Sequence, residues 1–190
     1  MKKTFINKRS FLNIFILFSL ISISAEAQSH KLAFSLTGGY VQGGFGGMAT
    51  LDYKVNEFDY LQLNFQSNFT NLDYEDIEVP VRLYSFNAGF FFDVLRNNKR
   101  TFALAVGGGA TAGSEIVNGG DDILENNEVL NTELIEPSKI VFGFYAGLDA
   151  DIYLIPTIAL TIKINETYHL NSDVGEFTPY MGLGVKLILK

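Results

Sequence analysis

His169, Ser172 and Asp173 bring an imidazole, a hydroxyl and a carboxylate close together near the carboxyl end of the chain. Such a trio suits a rim hydrolase or acyltransferase if base and nucleophile come within hydrogen-bond reach. The spacing does not enforce that reach, and loops are rich in Ser and Asp because both form turns. The residues therefore point away from an enzyme. His30 is expected in a solvated N-terminal lead. One rim histidine and no cysteine give no metal site, and no cofactor is expected. A second set is purely charged: Asp52, Lys54, Asp149, Asp151, Lys163 and Lys186. Both signs are present, so these residues are expected to pair with one another where they are buried. Structural filling is the plain role for such a set, and a proton or ion path is the sharper one.

The elements that must position these residues follow from a period of two. In YLQLNFQSNF (60–69), Leu61, Leu63, Phe65 and Phe69 share one parity, while Gln62, Asn64, Gln66 and Asn68 share the other. That alternation predicts a strand with one apolar and one polar face. The pattern recurs in eight segments: 31–40, 45–55, 60–69, 83–93, 101–113, 139–152, 157–169 and 177–189. The six charged residues all fall on the polar parity. Links 56–57, 94–100 and 153–156 are short, while 70–82, 114–138 and 170–176 are longer. Short turns at one end and long loops at the other are the pattern of an up-and-down barrel of the bacterial outer membrane. The first long-side link, 41–44, is short and breaks the trend.

Composition narrows the class further. Residues 1–27 are expected to be a secretory signal peptide and 28–190 a single barrel domain. Lys2, Lys3, Lys8 and Arg9 precede the apolar run FLNIFILFSLISI, and Ala25-Glu26-Ala27 offers a cleavage site. The remaining 163 residues would carry 10 basic and 20 acidic side chains, a net charge of −10. Such a chain offers no broad attraction to nucleic acid, and no direct nucleic-acid binding is expected. The absence of cysteine excludes disulfides and a lipid-anchored N-terminus. The glycine-rich GGYVQGGFGG and VGGGATAG lack the Gly-Lys-Ser/Thr ending of a phosphate loop, so close packing in a narrow barrel explains them better. Asp121, Asp122, Glu125, Glu128, Glu133 and Glu136 make the third long loop acidic without EF-hand spacing, and a solvated loop is expected.

Which face meets water decides the function. A soluble barrel would place its polar parity in solvent, and solvated strands usually carry many Lys and Glu. Here that parity is mostly Gly, Ala, Ser, Thr, Asn, Gln and Tyr. Such residues suit the narrow interior of an eight-stranded barrel. The bulky, nearly uncharged parity suits outer-membrane lipid, and aromatics near the strand ends suit interfacial girdles. Arg82 and Glu166 share the lipid-facing parity, toward the long-loop ends, where charge is tolerated.

Three stretches are more specific than the pattern: VPVRLYSFNAGFFFDVL (79–95), NKRTFALAVGGGATAGSEIVNGGD (98–121) and PYMGLGVKLILK (179–190). With them, and most tellingly with Ala112, Gly113, Glu115, Val117, Asn118 and Gly120, the second half resembles the conjugal transfer protein TraO family of Bacteroidota conjugative elements. The sequence departs from that pattern at Gly119, where an aromatic is expected, and in the acidic stretch that follows. The resemblance implies an outer-membrane part of a mating-type secretion apparatus, with other conjugation-apparatus proteins as partners. It implies no catalytic residues. On the residues alone, a general small barrel for adhesion or small-solute passage remains the alternative.

Overall fold

A computed structural model describes residues 32–74, 77–97, 101–121, 123 and 135–189. The expected leader, His30 and the acidic residues Asp122, Glu125, Glu128 and Glu133 lie outside the described residues. The ordered elements are strands β1 (Leu32–Val41), β2 (Gly44–Lys54), β3 (Tyr60–Tyr74), β4 (Ile77–Arg96), β5 (Phe102–Val117), β6 (Ser138–Ile155), β7 (Ile158–His169) and β8 (Phe177–Leu189). Each pairs antiparallel with its neighbours in sequence, and β1 pairs with β8 to close an eight-stranded barrel. Closure leaves no free edge along the paired registers. Among the described residues no helix is long and apolar enough to cross a membrane.

The links define two ends. The turn end holds the links that follow β2, β4 and β6, and β1 starts there while β8 finishes there. The loop end holds the links that follow β1, β3, β5 and β7. Gly43, at φ 73°, takes the left-handed conformation that lets the link 42–43 be so short. Gly119, at φ 70°, does the same after β5, so the glycine found in place of an aromatic has a backbone reason.

The polar parity faces inward. Gln62, Asn64, Gln66 and Asn68 are buried, whereas Leu61, Leu63 and Phe65 are exposed; Gln62 is 1% accessible and Leu63 57%. The other strands repeat this. Ser35, Thr50, Ser85, Asn87, Thr111, Thr161, Asn165 and Thr167 are buried, and Leu36, Phe86, Phe144, Leu160 and Leu183 are exposed. A narrow lumen demands small residues where large ones cross it. A side chain at Gly89 would collide with the Tyr145 hydroxyl, so glycine there lets that ring occupy the lumen.

The expected link 70–82 is a correction. β3 and β4 continue through it, pairing Asn71 with Pro80 and Leu72 with Val79. The period of two persists there, but its polarity inverts. Val79 and Val81 are buried, while Asn71, Glu78, Pro80 and Arg82 are exposed. These valines pack with Val117 and Ile135, and with the partly buried Leu72 and Val174. Above the apolar band the outside is polar and the inside apolar, as in any water-soluble sheet. Arg82 belongs to that inverted zone, which explains a charge on the outward parity. Glu166 is also exposed, beside Ala146 and Pro179. Tyr153, near the end of β6, follows the inward parity and lines a small lumen chamber instead of the outer surface.

Candidate functional site

At the turn end, β6 and β7 place Asp149 directly opposite Lys163, and their side chains form a fully buried ion pair. The same Asp149 oxygen accepts hydrogen bonds from Gln62 Nε2 at 2.8 Å and from the Tyr60 hydroxyl at 3.0 Å. Gln62 Nε2 also donates to Asp52 Oδ1 at 3.1 Å. Lys186 stands on β8, paired in register with Ser35 and Ala159. These small neighbours leave its stem room to reach across the lumen. Its ammonium donates to Asp151 Oδ2 at 2.6 Å and lies 3.1 Å from Asp52 Oδ2. It also sits 5.6 Å from the Tyr60 ring centroid, and Tyr60 stacks on Phe91 at 5.4 Å. Lys54 lines the same chamber, about 30 Å³ in volume, as do Asp93 and Arg96, which form an ion pair of their own.

The structure thus links Asp52, Asp149, Asp151, Lys163 and Lys186 through Gln62 and places Lys54 beside them. Burying such charges is costly, and the cost is offset only when each charge is paired and its remaining valences are satisfied. Tyr60, Gln62 and Phe91 were not singled out by their types. Their inward parity was the available signal, but a tyrosine or glutamine on that face does not reveal which carboxylate it will meet.

The loop end is built differently. Glu115 on β5 points inward and is buried. Its carboxylate accepts from the Ser172 hydroxyl at 2.5 Å and from the Asp173 backbone N–H at 3.3 Å. Ser172 Oγ in turn accepts from the N–H groups of Val174 and Gly175. Asp173 pairs with Lys139 at 2.6 Å and accepts from the Glu136 N–H. These bonds pin the 170–176 link over the barrel mouth.

The trio of His169, Ser172 and Asp173 is therefore not assembled for catalysis. Ser172 and Asp173 are committed to Glu115 and Lys139. His169 is buried, and neither ring nitrogen has a hydrogen-bond partner among the described residues. A nucleophile needs its base within hydrogen-bond reach, and Ser172 instead faces a carboxylate. Among the described residues no group of His, Asp or Glu is placed to hold a metal ion.

Two hollows complete the geometry. One, of about 330 Å³, lies inside the loop end against Glu115. The other, of about 520 Å³, is a depression on the outer wall beside Ala88, Ala110 and Ala112, flanked by Phe34, Leu63, Phe65 and Phe86.

A closed antiparallel barrel with a polar, side-chain-filled lumen and an apolar outer band is the architecture of small outer-membrane barrels. Solved structures bear out the fold. A major outer membrane protein from Thermus thermophilus is similar at 15% identity and TM-score 0.60, covering 83% of this chain and 98% of that one. The outer membrane protein OprG from Pseudomonas aeruginosa is similar at 12% identity and TM-score 0.57, covering 83% and 96%. Neisserial surface protein A is similar at 12% identity and TM-score 0.54, covering 83% and 95%. A search among curated proteins finds no match. The family model of the conjugative transposon protein TraO matches residues 24–189, and the chain belongs to that family.

Proposed function

We propose that this barrel sits in the outer membrane as a non-enzymatic component of the conjugative DNA-transfer apparatus, where it anchors or docks other apparatus proteins. Family membership gives the association with conjugation. The observation that carries the structural role is the lumen itself. Lys163 and Lys186 lie buried across it, bonded to Asp149, Asp52 and Asp151. A lumen crossed by ion pairs and by the rings of Tyr60, Phe91 and Tyr145 has no bore for a DNA strand. The exposed band of Leu63, Phe86, Phe144 and Leu183 fits lipid, where apolar surface is stable and charge is not. The acidic chain gives no support for direct nucleic-acid contact.

Deleting the gene from its conjugative element tests this reading. Transfer should be abolished while growth of the donor is unchanged, and the wild-type gene should restore transfer. Normal transfer from the deletion strain would favour adhesion or small-solute passage instead.

A further inference from the structure

The hollow at the loop end has the composition of a ligand site. Val41, Leu72, Val81 and Val174 give it apolar lining. The Glu115 carboxylate also lines it, and Glu115 is the one ionisable residue among the described lining. About 330 Å³ is within the ordinary range for small-molecule sites.

The charges around Glu115 favour one kind of ligand. Lys139 stands directly opposite Glu115 in the β5–β6 register, which would make a natural ion pair. Instead, the Lys139 ammonium turns to Asp173. Among the described residues no cation pairs with Glu115. Its two oxygens each take one neutral donor, from Ser172 and from the Asp173 N–H. An ionised carboxylate has about four acceptor positions, so capacity remains on the cavity side. A buried carboxylate with no cation paired directly to it, in a hollow lined by valines, is complementary to an amine on an apolar body. It disfavours an anion of the same shape through like-charge repulsion.

We infer that the loop-end cavity binds a small aliphatic or aromatic primary amine, with the ammonium on Glu115 and the apolar body against Val81 and Val174. The site forms when the barrel closes, because β1, β3, β4, β5 and the link after β7 all contribute to it.

The test uses the folded chain in phosphatidylcholine nanodiscs, with valine methyl resonances as the readout. Phenethylamine is titrated against 3-phenylpropanoate and 3-phenylpropanol. The amine should give saturable shifts at Val41, Val81 and Val174, and the acid none. Glu115→Gln should weaken the amine by about tenfold or more, as loss of a charged hydrogen bond implies, and leave the alcohol unchanged. Val174→Phe, which fills the cavity without touching Glu115, should remove the amine shifts. Non-saturable shifts with the amine, equal binding of acid and amine, or full amine binding in Val174→Phe would each overturn the proposal. Gel mobility with and without heating confirms that every variant is folded.

Discussion

The two ends of the barrel bury opposite chemistry in the same kind of wall. At the turn end the interior is charged: Asp149 with Lys163, and Lys186 between Asp52 and Asp151. At the loop end it is apolar: Val79, Val81 and Val117, with Glu115 buried near them and bonded to the 170–176 link. The outer surface changes in the reverse sense, from Leu63 and Phe86 in the band to Glu78 and Arg82 above it. The contrast shows what sets the polarity of a strand face. In the outer-membrane setting proposed above, lipid around the band would leave apolar residues nothing to gain by turning inward, so polar residues fill the lumen and satisfy one another. Where water surrounds the barrel, burial of apolar surface again drives the inside. The tall strands β3 to β6, of 15, 20, 16 and 18 residues, pass through both regimes.

The difference can be broken by substitution. The largest effect is expected at the turn end. Asp149→Leu strands Lys163 in a buried site and should cost about 3–5 kcal/mol, read from urea unfolding in lipid. The double substitution Asp149→Leu with Lys163→Met should recover most of that loss, because no unpaired charge remains. If the double variant is as unstable as the single one, packing rather than charge holds this end together. Next comes the outer band: Leu63→Arg should cost about 2–4 kcal/mol in a bilayer if this position lies near the midplane. A neutral result there would move the membrane boundary. The loop end should respond less. Val117→Ala removes buried apolar contacts at about 1–3 kcal/mol, with local fraying seen by hydrogen exchange in 79–81 and 115–117. Smallest is Ser172→Ala, at about 0.5–1.5 kcal/mol for one hydrogen bond. Its signature should be faster exchange of the Val174 and Gly175 amides, since Ser172 Oγ accepts from both.

Much of this could be read from residue order. Strand number, antiparallel order and the inward direction of Gln62, Asp149 and Lys163 follow from parity, because successive side chains in a strand must alternate. The extension of β3 and β4 was harder to see. Asn71, Asp73, Glu75 and Asp76 resemble a loop, and Pro80 lacks a donor. Once the apolar band ends, the signal to follow is the inverted one, with Val79 and Val81 buried and Leu72 partly buried.

The candidate site divides along the same line. That Asp52, Lys54, Asp149, Asp151, Lys163 and Lys186 share one face is a property of the sequence, because it depends on alternation alone. Which lysine meets which aspartate was decided by the closed barrel. Asp149 and Lys163 meet through strand register. Lys186 reaches Asp52 on β2 and Asp151 on β6, each two strands away, because curvature brings those walls together and the small Ser35 and Ala159 beside it leave room for its stem. The same closure separates His169 from Ser172 and Asp173 chemically, although they are neighbours in the chain. Alternation is local and sequence carries it in full. Distance across a barrel is set by strand number, stagger and the size of every intervening side chain, and those quantities exist only once the sheet has closed.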